Sequence, residues 1–385
     1  MRILLLLLSL VAVSVSLLTW VRAPNHVWTW KLAILAGEFG HWLVLLPLGL
    51  AVAAACGPAD AGRSVGLVLC VVAAAGFLRP VVSARHIAAT LSQGLQAAFG
   101  GPEAAASGLD LIRLYRGRPG SGARVVTETF AQPDGVDLKL DFYAPAEARE
   151  AGETPRPCVV VIHGGGWDSG DRAQLAVWNA RLVAQGYAVA AISYRLAPRW
   201  IWPAQRDDVL AALAWLKAHA VRLQVDPMRF VLLGRSAGGQ LATAVGYGAH
   251  DPAIRGVIAL YAPHDMPFAW SVSREDDALN SVNLMRQYFG GPPDTPERLA
   301  RYASASGQLL AGPDSPPTLL VHGEPDTLAW HRHSERLTAR LQECGVPHHY
   351  LRLPWATHGF DFNPDGPGGQ LADQAIAQFL ANVTR

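Results

Sequence analysis

The stretch FVLLGRSAGG, residues 230–239, decides the fold. Its first half is a short apolar run of the kind that forms a buried strand, and an alanine-rich helical pattern follows it. Between the two, Ser236 lies in the pattern Gly-x-Ser-x-Gly. A serine in such a sharp strand-to-helix turn exposes its hydroxyl group, and glycines flank it because the turn leaves no space for side chains. The motif is short, so it needs support from the surrounding sequence.

Further apolar runs predict the sheet into which this turn would fit. The predicted strands are CVVVIH (158–163), YAVAAISY (187–194), GVIALYAP (256–263), TLLVHG (318–323) and HYLRLPW (349–355). The predicted helices between and after them cover residues 173–185, 204–220, 237–246, 331–344 and 370–383. Strands that alternate with helices predict an α/β fold with a doubly wound, mostly parallel sheet. The segments RVVTETFAQ (124–132) and VDLKLDFYAP (136–145) predict an antiparallel hairpin at its start.

A glycine-rich string follows the first of the parallel strands. The run CVVVI leads into His163-Gly164-Gly165-Gly166-Trp167. Backbone without side chains can turn its N–H groups toward a ligand, which is what an oxyanion hole requires. A merely flexible loop is the alternative, but the buried strand before the string and the serine turn after it favour the oxyanion hole.

A nucleophilic serine needs a base, and the base needs a carboxylate to orient it. His358 follows the strand HYLRLPW, and Asp326 follows TLLVHG. The C-terminal ends of parallel strands meet at one edge of a sheet, so both side chains are expected near Ser236. Other acids compete with Asp326 for the orienting role, and its position just past a strand favours it over them. The competing acids are Asp314, Glu324 and Asp361.

Several segments together resemble the hormone-sensitive-lipase-like branch of the α/β-hydrolase carboxylesterases. Besides the glycine string and the serine turn, they are YRLAP (194–198), the pattern DxxxAxxW (208–215) and VDP (225–227). The resemblance implies that Ser236 is the nucleophile, His358 the general base and acid, and Asp326 its partner, with no metal or organic cofactor. It implies oxyanion hydrogen bonds from the backbone of Gly165, Gly166 and Ala237. It also implies that a further set of residues supports these motifs, with the histidine fixing the loop rather than acting as a base: His163, Gly164, Trp167, Gly234 and Gly238.

The chain departs from this family in two places. The helical cap that many members carry at the N-terminus is replaced by apolar segments. In addition, roughly 50 residues (264–317) lie between neighbouring predicted strands. This insertion is expected to cover the pocket as a lid.

Charged residues are scarce at the N-terminus. They make up 16% of the whole chain, against about 25% in soluble domains. The first 78 residues contain six of them, namely Arg2, Arg22, Lys31, Glu38, Asp60 and Arg63. This deficit predicts a membrane segment over residues 1–82, a connector over 83–122 that either lies on the membrane or packs on the enzyme, and a hydrolase domain over 123–385. With 32 basic and 31 acidic residues, the chain lacks the positive surplus that nucleic-acid binding needs.

Two or three membrane helices are predicted in the first segment. Residues 4–20 form an uncharged run long enough to cross a bilayer, and residues 32–55 form a second candidate. The second run carries Glu38 and His41, which would share a helix face and either form a polar site or merely orient the helix. Residues 64–78 form a third run, which Pro80 is expected to end.

The first apolar run is expected to stay in the protein rather than be cleaved as a signal peptide. Pro24 follows the small-residue site at residues 21–23 and disfavours cleavage there. A multi-pass membrane protein is therefore predicted. The distribution of Arg and Lys favours the catalytic domain on the cytoplasmic side.

The sequence as a whole predicts a membrane-anchored serine hydrolase that cleaves carboxylic esters through an acyl-enzyme, as a carboxylesterase or lipase does. Its substrates are expected to be small-molecule or lipid esters. An amidase, formamidase or peptidase with the same residues is an alternative, because the same machinery cleaves both acyl bonds. A membrane scaffold without activity is a further alternative. The oligomeric state is not predicted.

Overall fold

The computed structural model describes residues 2–57, 59–101, 108–118, 122–145 and 154–385. Part of the predicted connector, residues 102–107 and 119–121, lies outside them. The described chain consists of a group of apolar helices followed by an α/β unit. The first six helices are α1 (Arg2–Ser16), α2 (Val27–Glu38), α3 (Gly40–Leu43), α4 (Leu45–Ala55), α5 (Ala61–Phe99) and α6 (Leu111–Arg116).

Over the described residues, the α/β unit contains an eight-stranded sheet with the strand order β1-β2-β4-β3-β5-β6-β7-β8. The first two strands form the predicted antiparallel hairpin, β2 pairs antiparallel with β4, and the remaining pairings are parallel. The strands are β1 (Ala123–Ala131), β2 (Leu138–Pro145), β3 (Arg156–Ile162), β4 (Ala188–Ile192), β5 (Val225–Arg235), β6 (Ile254–Leu260), β7 (Thr318–Gly323) and β8 (His348–Leu353). Each predicted strand is confirmed.

Helices cover both faces of this sheet. They are α7 (Ala176–Ala184), α8 (Ala204–Ala218), α9 (Ala220–Leu223), α10 (Ala237–Gly248), α11 (Met266–Val272), α12 (Ser281–Phe289), α13 (Pro296–Ser304), α14 (Gly307–Leu310), α15 (Arg332–Glu343) and α16 (Pro367–Val383). In β3, Val160 belongs to one buried cluster with α8 and α10, whereas Val159 and Val161 belong to another with α7 and α16. A parallel strand buried on both faces explains why the sequence shows continuous apolar runs instead of alternation.

The predicted membrane helices differ from the observed ones in two respects. The run 32–55 is not one straight helix, because the chain bends by 81° between α2 and the helices that follow. The third run does not end at Pro80, since α5 continues through it to Phe99. Proline removes a hydrogen bond and costs about 3 kcal/mol inside a helix. Here Phe77 and Ala84, buried on either side of Pro80, supply packing that offsets this cost.

Within the described part of the chain, one helix, α5, is long and apolar enough to cross a membrane. The bent pair formed by α2 with α3 and α4 would be a second only if both arms belonged to one span. Helix α1 is apolar but shorter. The prediction of a multi-pass membrane protein is therefore not supported, and α5 is the candidate span that the described residues offer.

Small residues allow α1 and α5 to pack closely. Gly76 lies so near α1 that a Cβ atom would come within 2.6 Å of the Ser16 hydroxyl oxygen. The hydroxyl of Ser9 lies 3.4 Å from the thiol sulfur of Cys70 in the same interface. Close backbone approach at small residues is typical of helix pairs in membranes.

The second half of α5 packs against the α/β unit. Gln374 on α16 donates to the hydroxyl of Ser92 at 3.1 Å, and Gln378 donates to its carbonyl oxygen at 3.0 Å. The rings of Phe99 and Phe379 meet edge to face. The first part of the predicted connector therefore belongs to a helix that packs on the α/β unit.

We predict that Gly76→Val lowers the midpoint of thermal unfolding in detergent, because its side chain must push α1 away from α5. Gly49→Val is the matched control, since nothing lies within 4 Å of the Cβ position at Gly49. Thermal unfolding followed by circular dichroism would measure both. Equal midpoints for the two variants would contradict the observed packing of α1 on α5.

Candidate active site

The serine turn has the geometry that the sequence predicts. Strand β5 ends at Arg235, α10 begins at Ala237, and Ser236 between them has φ 52° and ψ −120°. A Cβ atom on Gly234 would lie 2.0 Å from the carbonyl oxygen of Gly238. Such an approach is possible only without a side chain, so the first glycine is a steric requirement of the turn. The unusual backbone conformation holds the serine side chain at the C-terminal edge of the sheet.

Three of the predicted site residues meet at this edge. The Nε2 atom of His358 lies 2.8 Å from the Oγ atom of Ser236. The Nδ1 atom of the same ring lies 2.9 Å from Oδ2 of Asp326. An ionised carboxylate only accepts hydrogen bonds, so Nδ1 carries the proton and Nε2 is free to accept the serine hydroxyl. This arrangement can move a proton from the serine to the histidine.

Asp326 is fully buried and accepts several hydrogen bonds. Its Oδ1 atom accepts from the backbone N–H groups of Leu328 and Ala329, at 2.8 and 2.9 Å. Its Oδ2 atom also lies 3.2 Å from Nε2 of His322, a contact that sequence reasoning missed. Burial acts to raise the pKa of Asp326, but the charges and hydrogen bonds of His358 and His322 outweigh burial and hold this pKa well below its usual range. The carboxylate is therefore ionised at neutral pH.

The competing acids have other surroundings. Asp361 accepts from Nε of Arg235 at 2.5 Å and from the hydroxyl of Tyr261 at 2.6 Å. Glu324 pairs with Arg352 at 3.0 Å. Asp314 lines a separate surface groove. Asp361 thus lies near His358 in sequence, but its side chain pairs with Arg235, the residue before Ser236.

The glycine string lies beside the serine. Gly165 and Gly166 have positive φ angles of 124° and 59°, and a Cβ atom on Gly165 would lie 2.2 Å from the carbonyl oxygen of Ser169. The N–H of Gly164 donates to the Gln174 side chain at 2.9 Å. Within the described residues, the N–H groups of Gly165, Gly166 and Ala237 have no protein acceptor.

The residues at the two ends of the string have structural contacts. The ring of His163 stacks on that of Tyr194 with centroids 4.2 Å apart, and its Nδ1 lies 2.8 Å from the Gly164 carbonyl oxygen. The indole N–H of Trp167 donates to Gln240 at 2.9 Å. A Cβ atom on Gly238 would lie 2.2 Å from the carbonyl oxygen of Ile162, so the second glycine of the turn packs on β3.

Two cavities formed by the described residues reach Ser236 and His358. The small cavity, of about 270 Å³, is lined partly by polar groups, among them Arg22 and Asn25 from the N-terminal segment. The large cavity, of about 630 Å³, has mostly apolar walls. These include Trp30, Ile34, Leu279, Leu284, Leu328 and Phe362.

The predicted lid and the apolar N-terminus both contribute to these walls. Ala269 and Val272 of the insertion line the small cavity, and Leu279 and Leu284 line the large one. Trp30 of α2 donates its indole N–H to the backbone carbonyl oxygen of His358 at 2.8 Å. No sequence motif marks Trp30, because the contact joins residues more than three hundred positions apart.

The described residues contain no group of three or more His, Cys, Asp or Glu side chains that could hold a metal ion.

The BD-FAE family model matches residues 140–341, more than half of the chain. This range includes Ser236 and Asp326 and ends before His358. Among curated proteins, the chain is 26% identical to the probable carboxylic ester hydrolase LipM of Mycobacterium tuberculosis, over 93% of this chain and 87% of LipM. It is 31% identical to the esterase LipC of the same organism, over 60% of this chain and 59% of LipC. The LipC match thus spans less than two thirds of either protein.

Among solved structures, an esterase of Pyrobaculum calidifontis is similar in fold. It has a TM-score of 0.59 and 24% identity, over 79% of this chain and 94% of that esterase. This similarity shows that the α/β unit has the α/β-hydrolase fold.

We predict that Asp361→Ala lowers the free energy of unfolding by about 3–5 kcal/mol, because it leaves the buried guanidinium of Arg235 without its partner. The control is Asp276→Ala, which removes an exposed pair with Arg274 and should leave the unfolding midpoint unchanged. Denaturant unfolding of both variants would measure the difference. A wild-type midpoint for Asp361→Ala would show that the buried pair contributes nothing to stability.

Proposed function

We propose a specific reaction for this chain, which belongs to the BD-FAE family and is an α/β-hydrolase of the carboxylesterase class. The proposed reaction is hydrolysis of carboxylic esters, with Ser236 as nucleophile, His358 as general base and acid, and Asp326 as its partner. The hydrogen-bonded series from Asp326 through His358 to Ser236 carries this proposal. The relatives named as ester hydrolases and esterases favour an ester over an amide as substrate.

The proposed reaction begins when Ser236 Oγ attacks the ester carbonyl carbon while His358 Nε2 takes the hydroxyl proton. The ionised carboxylate of Asp326 stabilises the imidazolium that forms. The carbonyl oxygen becomes an oxyanion, and the tetrahedral intermediate collapses when His358 returns the proton to the leaving alcohol. Water then attacks the acyl-enzyme by the same steps, which releases the acid and restores the serine.

The free backbone N–H groups of Gly165, Gly166 and Ala237 are proposed to bind the oxyanion. Ala237 is the first residue of α10, where the helix dipole also favours negative charge. The loss of one such donor typically costs about 3 kcal/mol of transition-state stabilisation. The positive φ angles of the two glycines allow the loop to present these donors beside the serine.

We also propose that the apolar helices hold the enzyme at a membrane. Besides the length and composition of α5, the support is the set of large apolar side chains that the helices expose, which would be unfavourable in water. They include Leu4, Leu7 and Val11 on α1, Leu45, Leu48 and Val52 on α4, and Val65, Val68 and Val72 on α5. The cytoplasmic location of the catalytic domain remains a prediction from the Arg and Lys distribution.

Lipophilic esters are the proposed substrates. The large cavity beside Ser236 is lined mostly by apolar side chains. Two of the lining residues, Trp30 and Ile34, belong to the N-terminal helical segment that is proposed to contact lipid. An apolar acyl chain would lose its contact with water on entering this cavity, which is favourable. An enzyme at the membrane would also meet such esters where they are concentrated.

We predict that Ser236→Ala abolishes both p-nitrophenyl ester hydrolysis and labelling by a fluorophosphonate probe, since both reactions need the serine oxygen. The fold should be retained, because alanine fits wherever serine does except for the lost hydroxyl. Far-ultraviolet circular dichroism would verify folding. Undiminished ester turnover by the variant would overturn the proposed function.

We predict that Ile34→Trp shifts the preferred acyl chain to shorter lengths, because the larger side chain fills part of the large cavity. Leu35→Trp is the matched control, since Leu35 lies next in sequence but is 45% exposed and does not line the cavity. The ratio of kcat/KM for a butyrate and a laurate ester of p-nitrophenol measures the shift. If both variants keep the wild-type ratio, the large cavity does not hold the acyl chain.

A further inference from the structure

Helix α2 contacts the chain segment that carries the histidine. This segment, residues 354–366 between β8 and α16, is called the histidine loop below. On one side, Asp361 ties the loop to the sheet through Arg235 and Tyr261. On the other side, the loop faces α2. On that side, α2 contributes polar groups, although the N-terminal segment to which it belongs contains few charged residues.

Glu38, at the end of α2, is 1% exposed and its carboxylate points into the α/β unit. Its Oε2 atom accepts from the backbone N–H of Gly368 at 2.9 Å and of Gly369 at 3.4 Å. Its Oε1 atom accepts from the indole N–H of Trp355 at 3.2 Å. The carboxylate therefore binds groups at both ends of the histidine loop.

The two glycine N–H groups belong to the first turn of α16, where backbone donors have no partner within the helix. The N-cap residue is Gly366, which has no side chain to accept from them. The Glu38 carboxyl group takes that role from another part of the chain, because its Oε2 atom accepts from both glycine N–H groups. A Cβ atom on Gly366 or Gly368 would lie 2.4 or 2.7 Å from the carboxylate oxygens, so these glycines form a socket for it.

Two further hydrogen bonds complete the contact. The Asn363 side chain donates to the backbone carbonyl oxygen of Glu38 at 3.0 Å. Earlier on α2, the indole N–H of Trp30 donates to the carbonyl oxygen of His358 itself at 2.8 Å. Helix α2 thus holds the loop at its start, at the histidine, near its end and at the following helix.

We infer that Trp30 and Glu38 are positioning residues for His358, which makes α2 a fixed part of the active site rather than only a membrane tether. The inference rests on the proposed role of His358. That ring must keep two hydrogen bonds at once, to Asp326 and to Ser236. A displacement of about 1 Å can cost roughly 100-fold in rate, so the backbone that carries the ring has to be held on both sides.

The first test is Trp30→Phe in the full chain in detergent micelles. Phenylalanine keeps an aromatic ring in the large cavity and removes the N–H that donates to His358. We expect kcat for p-nitrophenyl acetate to fall about tenfold, as the loss of one hydrogen bond corresponds to roughly that factor. KM should change less than twofold, because acetate does not fill the large cavity.

Trp28→Phe is the matched control, since Trp28 lies on the same helix, is 67% exposed and lines neither cavity. It should keep the wild-type kcat. If Trp30 had a purely structural role, Trp30→Phe would lower the unfolding midpoint but would not lower kcat while KM stays constant. Equal kcat values for Trp30→Phe and Trp28→Phe would overturn the inference.

The second test is Glu38→Gln, which preserves shape but turns an amide NH₂ group toward N–H donors. We expect a fall in kcat of tenfold or more, and a slower second-order rate of fluorophosphonate labelling. If Glu38→Gln does not fold, Trp30→Phe still decides the question. Failure of the proposed function has a different signature, because labelling of wild-type protein would then be absent or would persist in Ser236→Ala.

Discussion

The ion pair between Arg235 and Asp361 supports the whole site, because it joins the residue before Ser236 to the loop that carries His358. Both side chains are buried, so neither can exchange its partner for water, and separating them would leave an unpaired charge in the interior. Tyr261 holds the second oxygen of the carboxylate, and the Trp178 indole binds the backbone of Asp361. The serine turn and the histidine loop are therefore fixed relative to one another before any substrate arrives.

This pair also separates the two acids that compete for His358 in the sequence. Asp326 and Asp361 both lie close to His358, one across the sheet edge and one along the chain. Arg235 pairs with Asp361. Asp326 instead contacts the imidazole rings of His358 and His322. The position of each acid after its strand is enough to favour Asp326, because strand ends converge at one edge. The role of Asp361 could not be read from the sequence, since nothing local indicates which way the side chain of Arg235 turns.

The fold of the α/β unit could be predicted because its strands are buried on both faces and appear as unbroken apolar runs. The N-terminal helices follow less local rules. A bend of 81° after Glu38 and a continuous helix through Pro80 depend on packing between segments, which outweighs local preferences. Glu38 was recognisable as unusual in an apolar run, but its partners lie more than three hundred residues away. The sequence could not show that the N-terminal segment takes part in the walls of both cavities.

The socket that Gly366 and Gly368 form around the Glu38 carboxylate has a consequence for how such chains can diverge. The acid and the two glycines fit only as a set, because a methyl group at either glycine would occupy the space of the carboxylate oxygens. A catalytic unit and an N-terminal segment taken from different relatives would therefore combine only if the last helix of one were matched to the second helix of the other. The two halves are thus coupled by packing, although they look like separate modules.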